Sequence, residues 1–345
     1  MINMAQKNDK RNQHYVPKCY LRNFTNGDEF IATFLHSKNK FVEKASLDSV
    51  VCKEYLYGKD LVIEKKFENL EGKWASAFKS INKNEDVTDD EAIEIVYQLM
   101  TFIAFQHSRT LRVFDAQKSF EDFLYNFVCE NAGSEEAARN TLRKYIPKNY
   151  NLMEAPFNVS AQFIEAFKDL DLLLIENNSE IDFVTSDNPV VLYNKFLCNR
   201  KFQGNYGLSA VGLCIFLPLS PNLCLCLFDP KIYFSTNNNI KCTISQDSAH
   251  ELNKMFCRNA YEYVFFSKKH SKEYAEKLDG FFVDKLESKT SLVNSNLGEV
   301  IHFMNPSILE VYELPFITQR RNSKRISVPE LGPAPQRYLR NPINR

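Results

Sequence analysis

Apolar residues recur at helical spacing through the first half of the chain and fall into short, nearly unbroken runs in the second. Phe67, Leu70, Trp74, Phe78 and Ile81 lie three or four apart, which predicts a helix over 61–81 with one buried stripe. Glu64, Glu68 and Glu71 recur on the same helix. At about 100° per residue, Glu71 falls roughly 20° from Phe78, on the border of that stripe. A second helix starts at Thr88, where Glu91 completes a capping box and Asp89 and Asp90 suit the positive end of the dipole. From 93 to 105 it is apolar almost all round, so it is expected at the centre of the fold. Its polar exceptions therefore stand out: Gln106 and Arg109 share one side, with His107 opposite. Helical propensity runs on past Arg109 to about 131 with a bend, and further helices are expected near 134–145 and 160–168.

Ahead of these helices, Pro17 suits the first turn of a short helix carrying Tyr20, Leu21 and Phe24 on one side. Residues 30–35 and 40–45 read as a hairpin, followed by a short extended piece ending at 55–57. From Asp169 the period changes to that of strands, expected at 170–176, 181–186 and 190–193. After a loop over 194–209, a hairpin is expected from 211–217 and 223–228 across Pro218-Leu219-Ser220-Pro221-Asn222. Helices at 245–259 and 271–278 flank a strand at 261–266, and 303–316 stay unassigned. Between two apolar runs sits the polar knot Thr185-Ser186-Asp187-Asn188-Pro189. Pro189 lacks an amide hydrogen and turns Asn188 away from helical conformations, so regular pairing should stop there and leave Asp187 at a strand end.

Composition adds bounds. The 345 residues, 44% of them hydrophobic and 25% charged, suit a globular chain, and 28 Phe with 16 Tyr imply a core filled by rings. Basic and acidic residues number 43 each, so no global field draws the chain to nucleic acid, although a local patch stays open. No apolar run reaches the roughly 18 residues of a membrane span, and no signal-peptide core opens the chain. The nine cysteines show no metal-type pairing. Cys224 and Cys226 alternate along a strand and point to one face. Buried reduced thiols and a cytoplasmic protein are the resulting expectation. The tail 318–345 carries seven Lys/Arg against the single acid Glu330, and is expected to be a largely disordered extension.

The chemistry rests on six polar residues. His14 is either an acid, base or metal ligand, or a histidine paired with a backbone carbonyl. Glu71 is either a base or an ion-pair partner. Arg109 cannot neutralise itself and must meet a carboxylate, a phosphate or a carbonyl cluster, with Glu71 or Asp187 the nearest choices. Asp187 serves either chemistry or its own turn. With Gln106 and Asn188 these residues suit acid–base work or bidentate binding of an anion, and a buried structural network needs the same residue types. Phosphate-loop, zinc-protease, nucleophile-elbow and dinucleotide motifs are all missing, and 10 glycines argue against a glycine-rich cradle. No metal or other cofactor is assigned.

Several segments together resemble an uncharacterised family, domain of unknown function 4238. They are Gln13-His14-Tyr15-Val16-Pro17 with Tyr20, Leu21 and Phe24; Glu71; Gln106 with Arg109-Thr110; Thr185-Ser186-Asp187-Asn188-Pro189; Pro218-Leu219-Ser220-Pro221; and Asn253. The resemblance runs from Gln13 to about Ser267 and implies a shared scaffold with a shared site, without an established activity, cofactor or substrate.

The expected architecture is a single α+β domain over 11–317, its helical part about 61–168 packed on a mainly antiparallel sheet part about 169–317. Two functions compete. One is an intracellular enzyme, hydrolase-like, acting on a phosphate-bearing nucleotide or nucleic acid with His14, Glu71 and Asp187 as catalytic groups and Gln106, Arg109 and Asn188 binding substrate. The other is a non-catalytic ligand- or partner-binding module whose polar cluster is structural. The enzyme requires a concave site containing Arg109 and Asp187; the module requires those residues paired and closed to solvent.

Overall fold

The computed structural model of the chain describes residues 11–25, 27–145, 155–198, 207–236, 239–267, 272–281, 289–295, 298–304, 308 and 310–325. Strand β1 (Asn12–His14) leads into the short helix α1 (Lys18–Leu21), which Pro17 opens, and then into β2 (Phe30–Leu35), β3 (Lys40–Ser46) and β4 (Cys52–Glu54). Helices α2 (Val62–Asn82), α3 (Asp89–Ser108), α4 (Leu111–Asn131), α5 (Glu135–Tyr145) and α6 (Ala155–Phe167) follow. Strands then dominate: β5 (Asp171–Asn177), β6 (Thr185–Ser186), β7 (Val191–Tyr193), β8 (Cys214–Ser220), β9 (Leu223–Phe228), β10 (Tyr233–Ser235) and β11 (Lys241–Ile244). The chain continues through α7 (Gln246–Asn259), β12 (Tyr263–Phe266), α8 (Lys272–Asp279), β13 (Lys289–Ser295), β14 (Gly298–Met304) and β15 (Ile317–Gln319). The fold is α+β, with the change of texture where the sequence places it.

Two sheets organise the molecule. The larger has the order β11-β5-β9-β8-β7, antiparallel except for the β11–β5 pair. The smaller, β3-β2-β12-β6, is antiparallel and joins the N-terminal hairpin to the C-terminal part of the chain. Alternation along β9 explains why the larger sheet is covered on both faces. Leu225 and Leu227 pack with the helical core around Trp74, Phe78 and Phe102, whereas Cys224, Cys226 and Phe228 pack with α7 and α8. The helical half therefore forms one of two layers against this sheet. All nine cysteines are free, and Cys224 and Cys226 share a face as expected.

Three expectations change. The long second helix divides at Arg109, whose backbone (φ −110°, ψ 12°) ends α3 before Thr110 opens α4. Its first turns are not central: Ile93 and Tyr97 are 68% and 49% exposed. The strands on either side of Asp187 belong to different sheets. β6 closes an edge of the smaller sheet and β7 an edge of the larger, so the knot is where the chain changes sheets. Finally, the expected disordered extension does not begin at Thr318. Strand β15 pairs antiparallel with β10, and residues 321–325 add a 3-10 turn. Residues 326–345 lie outside the described part.

Candidate functional site

Gln13, His14 and Tyr15 form a strap across the C-terminal end of α3. The Gln13 side chain is fully buried, donating to the carbonyl of Gly58 at 3.1 Å and accepting from the amide of Tyr57 at 2.5 Å. His14 donates through Nε2 to the carbonyl of Leu47 at 2.8 Å, since a carbonyl oxygen only accepts. Burial lowers the His14 pKa, with Lys18 and Arg109 adding to the fall against the opposing pull of that carbonyl. From α3, Gln106 donates to the carbonyl of Tyr15 at 2.9 Å, and Arg109 donates to the carbonyl of His14 at 2.8 Å. The two helix side chains thus hold consecutive carbonyls of the strap.

Arg109 is 1% exposed and also meets Glu71 at 3.0 Å, the carboxylate expected from the stripe-border position on α2. Its guanidinium lies 3.9 Å above the ring of Phe67. Burial works against the charge, but Tyr57 and Glu71 outweigh it and raise the Arg109 pKa above its ordinary value. A single terminal nitrogen makes both hydrogen bonds; Arg109 Nε and Nη1, Gln106 Oε1 and Thr110 Oγ1 are buried without a hydrogen-bond partner among the described residues.

Asp187 belongs to a second cluster. Its two carboxylate oxygens accept from the backbone amides of Tyr261 and Glu262, each at 2.8 Å, and so fix the entry to β12. Burial pushes its pKa up to about 6, against the backbone bonds and the nearby charge of Arg112. Asn188 donates to the carbonyl of Asn259, whose own side chain donates to the carbonyls of Asn188 and Val190. Arg112, in the first turn of α4, grips Asn259 through its carbonyl and side-chain oxygens at 3.3 and 3.2 Å. Arg112 and Asn259 escaped the sequence reading. The signal for Arg112 was its place three residues beyond Arg109, on a segment already known to bury charge.

The six expected residues therefore separate into His14, Glu71, Gln106 and Arg109 on one side and Asp187 with Asn188 on the other. Tyr15 lies between them: burial and then the charge of Asp187 raise its pKa, while its carbonyl receives Gln106. The remaining motif segments are joined in the same manner. Tyr20 bonds the Thr185 hydroxyl at 2.6 Å and the Pro218 carbonyl at 2.7 Å. Asn253 accepts from the amide of Val184 at 2.9 Å and donates to the carbonyl of Asp182 at 2.8 Å. Among the described residues, no three His, Cys, Asp or Glu side chains gather to hold a metal ion, and no helix is long and apolar enough to cross a membrane.

With these bonds in view, the comparison with known families is informative. A family model described as protein of unknown function, DUF4238, matches residues 12–270. The chain belongs to that family. No curated protein and no solved structure matches it. The matched span contains both polar clusters and every segment they tie together, and it ends before β15.

A large concavity lies elsewhere. A groove of about 990 Å³ runs between the C-terminal end of α2, the first half of α3 and the β5–β11 edge of the larger sheet. Ile81, Ile95, Met100 and Leu172 give it an apolar floor, and the exposed Ile240 stands with Lys241 and Arg320 on its rim. None of the six expected site residues lines it.

Proposed function

We propose that the protein is a non-catalytic binding module, in which the polar residues of the family motifs hold the scaffold and the groove receives a ligand. The observation that supports this is where those side chains are occupied. Gln13, His14, Gln106, Asp187, Asn188 and Asn253 all bond main-chain groups of distant segments. Arg109, the motive for a phosphate-directed enzyme, is closed to solvent beneath Phe67 and already engaged by Glu71. A phosphate reaching it would have to displace both. The groove, in contrast, has the size of a ligand site, with an apolar floor set among polar and charged side chains.

The test uses a neutral apolar dye, Nile red, titrated by fluorescence against the wild type and Val96→Trp. Val96 lines the groove from α3, and an indole there projects into it and obstructs its apolar floor. Saturable 1:1 binding by the wild type and its loss in the variant, with circular dichroism unchanged, is the expected result. Thermal melts with inorganic phosphate and AMP supply the other arm, because a ligand at 100 times its Kd stabilises by about 2.7 kcal/mol. A clear shift with either compound, together with no saturable dye binding, would return the protein to the phosphate-enzyme class.

A further inference from the structure

We propose that the groove is selective for monoanionic amphipathic molecules of the apolar carboxylic acid class, and that Arg320 is the residue that reads the carboxylate. This deepens the binding-module reading and rests on it.

Arg320 is an exposed rim residue whose side chain is anchored at its Nε. Its Nε donates to the carbonyls of Pro230 at 2.7 Å and Tyr233 at 3.0 Å, and its guanidinium lies over the ring of Phe234 at 5.5 Å. The backbone is pinned as well: the Arg320 amide donates to Ile232, and the Ser323 hydroxyl donates to the Arg320 carbonyl at 2.6 Å. An arginine ordinarily loses much rotamer freedom when it grips a ligand; here that ordering is supplied by the fold. The two terminal nitrogens make no hydrogen bond or ion pair with the described residues. With Nε occupied, the edge left open is the end-on pair Nη1 and Nη2, whose parallel N–H groups match the two oxygens of one carboxylate.

The other rim charges set the class. Lys241 is engaged by Glu176 at 3.8 Å and by the Asn84 side chain, so it is not a second free cation. Glu85 and Asp171 also line the groove. Glu176 and Lys241 offset each other, and Glu85 and Asp171 oppose a second negative charge on the ligand, which disfavours a doubly charged phosphate head and leaves one guanidinium for one negative charge. Below the rim, Ile81, Ile95, Met100 and Leu172 offer surface for an aliphatic or aromatic body.

Calorimetric titration with decanoate, decanol, decyl phosphate and decylammonium reads the proposal on the full chain. For the wild type, decanoate is expected to bind at least tenfold more tightly than decanol, decyl phosphate or decylammonium. Arg320→Gln should bring decanoate to the level of decanol while decanol stays within twofold, which also reports an intact groove. Arg320→Lys, with charge but no fork, should fall between. If decanol and decanoate bind equally and Arg320→Gln changes neither, the carboxylate assignment is overturned while loss of both in Val96→Trp keeps the groove. Tighter binding of decyl phosphate or decylammonium overturns the monoanion class. If no probe binds, or Val96→Trp binds like wild type, the groove reading itself falls with it.

Discussion

Arg109 places one terminal nitrogen on Glu71 and leaves Nε and the other terminal nitrogen without a hydrogen bond among the described residues, at 1% exposure. Such a pair is costly to break and adds little when kept, because desolvation cancels most of the attraction. Glu71→Gln strands a charge that cannot neutralise itself. It should destabilise by up to about 3 kcal/mol, the low end for a buried pair since Glu71 is 29% exposed. Adding Arg109→Met removes the stranded charge and its unpartnered donors, so the double variant should regain stability in urea melts relative to Glu71→Gln. A double variant less stable than that single one would refute the argument. Asp187 gives a pH signature. Its folded pKa of about 6 lies above the ordinary 3.8, so the native state binds the extra proton between those values. Its contribution is then fully present below about pH 4 and lost as pH rises through 6. The difference is on the order of 3 kcal/mol. His107, pushed by burial down to about 4, acts oppositely over the same range, so the quantity to measure is wild type minus Asp187→Asn. That difference should favour wild type more at pH 4 than at pH 7.5; an offset equal at both would remove the titration of Asp187 from the account.

Elements whose pattern is local were readable from the residues. The Thr88–Glu91 capping box forms with both reciprocal bonds, and the Phe67–Trp74–Phe78 stripe is buried. The hairpin of β2 and β3 and the alternation of β9 follow their spacing for the same reason: each is decided within about ten residues. The knot at Asp187 is different. Its turn chemistry was visible, but the two strands it joins find partners 60 residues or more beyond β6 and about 20 beyond β7, in separate sheets. The C-terminal end was misread because β15 is short and polar, and its docking rests on β10 and on Arg320. Two truncations isolate this contribution, one ending before Thr318 and one after Arg325. Since both lack 326–345, their difference belongs to residues 318–325 alone. The shorter chain should melt several degrees lower; identical melting temperatures would mean that the β10–β15 pair adds nothing.

Across the molecule, the motif residues were legible as polar positions in apolar surroundings, but their use was not. Their partners are carbonyls and amides, which carry no residue-specific mark, and they lie far away: Gln106 and Arg109 reach back 91 and 95 positions to the strap. The groove was equally hidden, because Ile81, Leu172, Ile240 and Arg320 reach it from separate parts of the chain. Its separation from the polar strap can be judged along α3. Val96 faces the groove and Arg109 ends the helix, and 13 residues at about 1.5 Å each place them roughly 20 Å apart. Scaffold and ligand surface should therefore respond to substitution independently. Gln13 provides the test, since it is fully buried and its side chain pairs two backbone groups that nothing else is placed to replace. Gln13→Ala leaves the Tyr57 amide and the Gly58 carbonyl unpaired, at about 1–3 kcal/mol for each group that stays dry. The expected loss in urea melts is about 2 kcal/mol or more. Amide exchange should quicken together in the strap, around 51–58 and near 106–112, as one cooperative unit. Nile red affinity, measured well below the new midpoint, should stay within twofold of wild type. A Gln13→Ala protein that is stable but no longer binds the dye would place the strap in the ligand site and reverse the division of labour proposed for this fold.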